Sequence, residues 1–241
     1  MAALVAEVQG VFAADGVAVG SSAVRECAEL TSAKKFLQAR PSGVYTCARA
    51  VASAGASTEL SKVLVEWSFH MQRLSSGLIS VDSNFKHDKL KLDKLKMATK
   101  SLVAAVLTPW RARETVVDGM LSVLWYPDAA DYIVAIHICP MPQPKCLAST
   151  VLVYGEARQN ARCKHTQWIL DRLPIEQHVA RLVDTRGEPI HEVVLSSAGH
   201  GGNRLLLEGL ITNFFVGTRW RCMKVVGIVG MANAVPFYEV Q

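Results

Sequence analysis

The chain has 241 residues, half of them hydrophobic, and carries a formal net charge of +5. That length and apolar share can bury one large core or two smaller ones, and two domains are expected. The basic excess rests on a balanced mixture of Lys, Arg, Asp and Glu, so it does not by itself demand nucleic acid; it suits an anionic cofactor or carboxylate substrates.

The six cysteines, Cys27, Cys47, Cys139, Cys146, Cys163 and Cys222, form no C-x-x-C pair and no spacing with His that would build a zinc site. They read as reduced thiols of an intracellular protein, and no metal is expected. No apolar run approaches the length of a membrane span. The first forty residues are rich in Ala and Val but carry several acidic side chains, which suits neither a secretory signal nor a transit peptide. Cytoplasm and plastid both remain open.

In chain order, Gly43 to Ser53 alternates β-branched or aromatic residues with smaller ones and is predicted to be a strand. Lys62 to Val65 reads as its partner across a turn at Ala54-Gly55-Ala56. Glu66 to Leu74 then switches to helical spacing, which sets Phe69, Arg73 and Leu74 within one turn of each other. Residues 86–100 hold six lysines against two aspartates and run into the helical-looking Ser101 to Leu107. Without interleaved aromatic or glycine residues for base contact, the lysines read as a solvated helix face, with no nucleic acid or membrane partner expected.

Three strand candidates follow, Gly119 to Tyr126, Asp131 to Ile138 and Ser149 to Tyr154, the first two joined by a Pro-Asp-Ala-Ala turn as an antiparallel hairpin. These segments make the first region a sheet with two helices on one side, an α+β arrangement. Pro140 to Pro144 is a stiff connection near a domain boundary. Tyr154 to Arg158 leads through Lys164 into a helix that Pro174 interrupts.

The sequence EVVLSSAGHGGNRLLLEGLITNFFV, Glu192 to Val216, reads as a hairpin around the Gly-rich turn SSAGHGGN. Glu208 interrupts a nearly continuous apolar run. An ionised carboxylate in such surroundings costs several kcal/mol unless a cationic or protonated partner meets it.

The string Glu208-Gly209-Leu210-Ile211-Thr212-Asn213-Phe214-Phe215 resembles the E-G-x-x-T-N-x-F signature of the class IV pyridoxal-phosphate aminotransferases, which include branched-chain and D-amino-acid aminotransferases and aminodeoxychorismate lyase. Gly43-x-Tyr45-Thr46-x-x-Arg49, His70-x-x-Arg73-Leu74 and Lys164-x-x-x-Trp168-x-x-x-Arg172 resemble further segments of that class, in the same order. They are most similar to those of a plant branch of D-amino-acid-aminotransferase-like proteins. The resemblance covers the chain from about Pro41 onward.

The resemblance implies the α+β fold of fold-type-IV pyridoxal 5'-phosphate enzymes, with an N-terminal domain over residues 1–152 and a C-terminal cofactor-binding domain over 153–241. Lys164 becomes the Schiff-base lysine and proton shuttle. Arg73 anchors the cofactor phosphate, for which a guanidinium fork is suited. Glu208 keeps the pyridine nitrogen protonated, so that the ring acts as an electron sink. Tyr45 lines the substrate side, and Thr212 and Asn213 lie near the pocket; Arg49 has no assigned role. Trp168 stands where several relatives carry tyrosine.

The implied reaction is transfer of an amino group between an amino acid and a 2-oxo acid by a homodimer. Two alternatives are a lyase acting on aminodeoxychorismate and an inactive remnant that works through protein contacts. After Val216 the chain departs from the family pattern in an insertion-like run. Phe237 to Gln241 then resembles a family strand whose continuation, with a phosphate-binding loop, is expected to be missing, leaving the C-terminal domain incomplete.

Overall fold

A computed structural model describes residues 2–9, 11–12, 24–40, 42–50, 58–113, 118–129, 131–142, 149–158, 164–190, 192–198, 204–210, 224–227 and 236–240, with side chains excepted at 58–67, 149, 204, 208, 224–227 and 236–240. It divides into two compact units, Met1–Gln143 with Arg162–Leu170, and Pro144–Ala161 with Asp171–Gln241. Both mix helices with sheet. The chain is α+β.

The first unit is built on a five-stranded antiparallel sheet of β1 (Ala3–Val8), β2 (Arg25–Cys27), β3 (Val44–Ala50), β4 (Gly119–Asp128) and β5 (Asp131–Pro140), in the order β2-β1-β5-β4-β3. The β4–β5 hairpin pairs residue for residue from Gly119 with Pro140 to Asp128 with Asp131, and Ala129 takes a positive φ of 50° at the turn.

One face of this sheet is covered by α2 (Thr58–Val81) and α3 (Lys89–Arg111). The buried positions of α3 include Leu92, Leu95, Thr99, Leu102, Val106 and Trp110, the three-and-four spacing of a helix stripe. They pack with Leu4, Val44, Leu121, Val123, Trp125, Ile136 and Ile138. Asp88 caps α3 by accepting from the Lys91 N–H at 2.9 Å. Thr99 solves two polar problems in that core. Its hydroxyl donates to the Leu95 carbonyl at 2.7 Å and accepts from Trp125 Nε1 at 2.8 Å. The lysine run lies on the outer side, with Lys86, Lys89, Lys91 and Lys100 exposed.

The opposite face carries α1 (Ala33–Gln38) and the returning segment 164–169. Phe36, Leu37 and Ile169 pack there against Val5, Leu124 and Ala135. The second unit holds β6 (Ser149–Val153), β7 (Glu192–Ala198), β8 (Arg204–Gly209), β9 (Lys224–Gly227) and β10 (Pro236–Val240), ordered β8-β7-β6-β10-β9. Its β6–β7 pair is parallel and the rest antiparallel. The helices α4 (Gln167–Asp171) and α5 (Leu173–Val179) complete the elements.

Several expectations are corrected. Lys62 to Val65 belongs to α2, not to a strand, because the apolar sequence Leu60, Leu64, Trp67, Met71, Leu74, Leu78 keeps helical spacing through it. The segment after Cys146 does not extend the first sheet: β6 pairs with β7 and β10. The division expected between residues 152 and 153 therefore falls between 143 and 144, and 162–170 returns to the first unit because it closes the sheet's second face. Pro174 opens α5 from its first turn, where a missing N–H costs nothing. The elements β1, β2 and α1 were not foreseen. Among the described residues no helix is long and apolar enough to cross a membrane.

Candidate functional site

The outer side of β3 is where two of the predicted residues, Tyr45 and Lys164, meet. β3 is an edge strand of the first sheet, and residues around His165 pair antiparallel with it through a bridge between Val44 and His165. Tyr45 N donates to the Lys164 carbonyl at 2.8 Å, and Thr166 N donates to the Gly43 carbonyl at 2.8 Å. Gly43 N in turn donates to the buried Thr166 Oγ1 at 2.9 Å. This short ladder fixes the backbone of Lys164 beside Tyr45, and Lys164 Nζ stands 5.9 Å from the centre of the Tyr45 ring.

Only glycine fits at position 43. A Cβ there would lie 2.6 Å from Leu124 Cδ1, 2.9 Å from the Trp125 carbonyl oxygen and 2.9 Å from Tyr126 Cβ. The chain can approach β4 this closely, and so accept Thr166 on its other side, only without a side chain.

Arg73 lies on α2, which packs on the Thr46 face of β3. Met71, Leu74 and Leu78 anchor the helix in the core, and His70 Nδ1 lies 2.7 Å from Thr46 Oγ1 on β3. Arg73 comes one turn later, with its guanidinium 5.9 Å from the centre of the Phe69 ring.

Cys47, two residues beyond Tyr45 and so on the same face of β3, reports the field of the site. Burial pushes its thiol up, while a hydrogen bond with Ser122 and then the positive charges of Lys164 and Arg73 pull the other way. The Sγ to Ser122 Oγ distance is 3.5 Å. Two cations from opposite sides of β3 therefore act on one neutral thiol. Strand register continues the row from Cys47 to Ser122 to His137. His137 is fully buried, stacks on Phe36 with centroids 4.8 Å apart, and has Nε2 2.8 Å from the Leu30 carbonyl. Burial lowers its pKa. It is thus a neutral imidazole donating from Nε2, and its Nδ1 has no hydrogen-bond partner among the described residues.

Glu208 belongs to the second unit. The register of β7 and β8 shifts between Val194, opposite Gly209, and Ser196, opposite Leu206. Leu207 and Glu208 together therefore face Leu195 alone. Such a bulge breaks the alternation of a strand and re-aims a side chain. Just beyond it, the Leu210 carbonyl accepts from the buried Arg172 Nη1 at 3.3 Å, and Arg172 Nε pairs with Glu176 at 2.9 Å. Arg172 thus ties the start of α5 to the end of β8.

Of the sequence-derived set, the first unit gathers Tyr45, Arg73 and Lys164. Glu208 stands in the second, and Thr212 and Asn213 lie outside the described residues, as does the expected hairpin beyond Leu210. Arg49 forms an ion pair with Asp118. Cys47, Ser122, His137 and Thr166 were not singled out by sequence; the one available signal was that Cys47 keeps the strand parity of Tyr45. Among the described residues no group of three or more His, Cys, Asp or Glu is placed to hold a metal ion. The chain matches no protein-family model, no curated protein and no solved structure.

Proposed function

We propose that the chain is a pyridoxal-phosphate protein of the fold-type-IV, class IV aminotransferase kind, transferring an amino group between an amino acid and a 2-oxo acid. The observation that carries this reading is Lys164 Nζ set beside the Tyr45 ring at the edge strand β3, with Arg73 on the helix that His70 and Thr46 hold against the same strand. Two cations around neutral thiol and hydroxyl groups fit a ligand that is both an anion and a target for an amine.

When bound, pyridoxal 5'-phosphate supplies an electrophilic carbon and an electron-withdrawing ring. Lys164 would hold it covalently, and its Nζ would be the atom that takes and returns the substrate's α-proton once released from the cofactor. Arg73 would bind the phosphate with a guanidinium fork. Tyr45 would line the substrate side, and the resemblance assigns Glu208 to the ring nitrogen with Thr212 and Asn213 nearby. The same residues would serve the lyase alternative, which product analysis with aminodeoxychorismate distinguishes.

A second reading has its own support. β8 is an edge strand of the second sheet, and Leu205 and Leu207 on it are 57% and 43% exposed. An apolar edge of this kind suits association with another chain, whether in a homodimeric enzyme or in a remnant that acts through contacts alone.

The deciding experiment is the visible absorption spectrum of the purified chain mixed with pyridoxal phosphate and desalted, beside Lys164→Ala. Retained absorbance in the wild type and its loss in the variant are expected. Equal retention, or none in either protein, would sink the assignment.

A further inference from the structure

We infer that His70 and Thr46 form the positioning pair that sets Arg73 over the site, an inference that rests on the anion-binding reading given above. The argument begins with what apolar packing leaves undecided. Met71, Leu74 and Leu78 bury one stripe of α2 against the sheet, but apolar contact is non-directional. A helix held that way alone can shift along its axis or roll by a fraction of a turn with little change in buried area. Arg73 sits at the rim of that stripe and is only half-buried, so any such shift moves its guanidinium directly.

The His70–Thr46 contact removes this freedom. At 2.7 Å it is a short hydrogen bond between side chains of two different elements, and hydrogen bonds are steeply directional. Both ends are set close to site residues. His70 is three residues before Arg73 on α2, hence on the same side of the helix. Thr46 lies between Tyr45 and Cys47 on β3, and its side chain is 1% exposed. Because successive strand residues alternate, Thr46 points to the helix face while Tyr45 and Cys47 point to the other. One residue of β3 therefore locates α2, and its two neighbours line the site. The bond fixes the register between the element that supplies the arginine and the strand that supplies the tyrosine and meets Lys164.

Neither His70 nor Thr46 is required to touch the ligand. Their effect is expected to pass through Arg73, which gives the test. The affinity of the full chain for pyridoxal phosphate, and its competition by inorganic phosphate, are measured for wild type, Thr46→Val, Thr46→Ser, Arg73→Ala and the Thr46→Val/Arg73→Ala double variant, with a thermal melt of each. Thr46→Val keeps the shape and deletes the hydroxyl; about a 10-fold loss of affinity is expected, of the size of one hydrogen bond's net contribution. Thr46→Ser should restore most of it. In the Arg73→Ala background the Thr46 substitution should change affinity little, because the residue it positions is gone.

Three results overturn the inference. If Thr46→Val binds like wild type, the pair positions nothing. If its loss persists undiminished in the Arg73→Ala background, or follows the melting temperature in both Val and Ser variants, Thr46 is structural only. If wild type and Arg73→Ala bind alike or not at all, the anion-binding reading itself fails and takes the pair with it.

Discussion

The two faces of the first sheet differ in what they bury and in what covers them. Under α2 and α3 the sheet presents Leu4, Val8, Val123, Trp125, Val134 and Ile136, and polar groups there such as Thr46, Thr99 and the Trp125 indole are hydrogen-bonded within that layer. Behind them, Tyr45, Cys47, Ser122, His137 and Cys139 alternate with apolar residues under a six-residue helix and a returning loop. Long helices supply a continuous apolar stripe and leave no room for unpaired polar groups. The short cover tolerates polar residues, and the lysine enters on that side. The face with the weaker hydrophobic cover is the one that accommodates Tyr45, Cys47 and Lys164, while the helix-covered face is the continuous apolar layer.

The largest expected effect belongs to the helix face. Leu102 is fully buried, and Leu102→Ala should cost about 2–5 kcal/mol through lost transfer energy and the cavity left behind. Urea unfolding measures this, and a cost well below that range would mean that α3 is loosely seated. Next comes the joint between the faces. Gly43→Ala forces a methyl group into Leu124 and the Trp125 carbonyl; a loss of about 1–3 kcal/mol is expected from overpacking. It should also displace the Lys164 ladder, so retention of the proposed pyridoxal phosphate should fall further than stability predicts. Retention that merely tracks stability would separate the ladder from the site.

The polar face should reveal itself by pH. Burial depresses the folded pKa of His137, so the unfolded chain binds this proton more readily. Its contribution is present above the unfolded histidine value of about 6.5 and is lost as pH falls through the lower folded value. Unfolding free energy measured from pH 7.5 down to 5 should therefore drop in wild type and drop less steeply in His137→Gln, whatever that variant's baseline. Parallel profiles would show that His137 titrates normally. The smallest effect is at Cys47, where burial outweighs the pull of Ser122, Lys164 and Arg73. Half-maximal iodoacetamide labelling, with Cys47→Ser as control, should lie above the ordinary thiol value of about 8.5. Labelling at or below that value would mean that the two cations win.

How much was readable in advance depends on whether a signal was local. The β4–β5 hairpin announced itself by two apolar runs around a turn, and β7 by the run before the Gly-rich segment. Such patterns need only near neighbours in sequence. The strand expected at Lys62 to Val65 failed because four apolar or β-branched residues fit either period, and the longer helical stripe decided the matter. The β1 strand lay hidden in an Ala- and Val-rich stretch with no clear alternation of apolar and polar residues, and its pairing with β5 spans most of the unit.

From the sequence alone came the α+β class and, through the family resemblance, the candidates Tyr45, Arg73, Lys164 and Glu208, because residue type and order are written in one dimension. Tertiary structure decided that 162–170 returns to the first unit, that Gly43 and Thr166 clamp Lys164 beside Tyr45, that His70 meets Thr46, and that Glu208 sits in a bulge. Those facts depend on hydrogen bonds between groups as much as 123 positions apart. No local pattern encodes such a contact. It exists only once the sheet has brought its edge strand, its helix and its returning loop together.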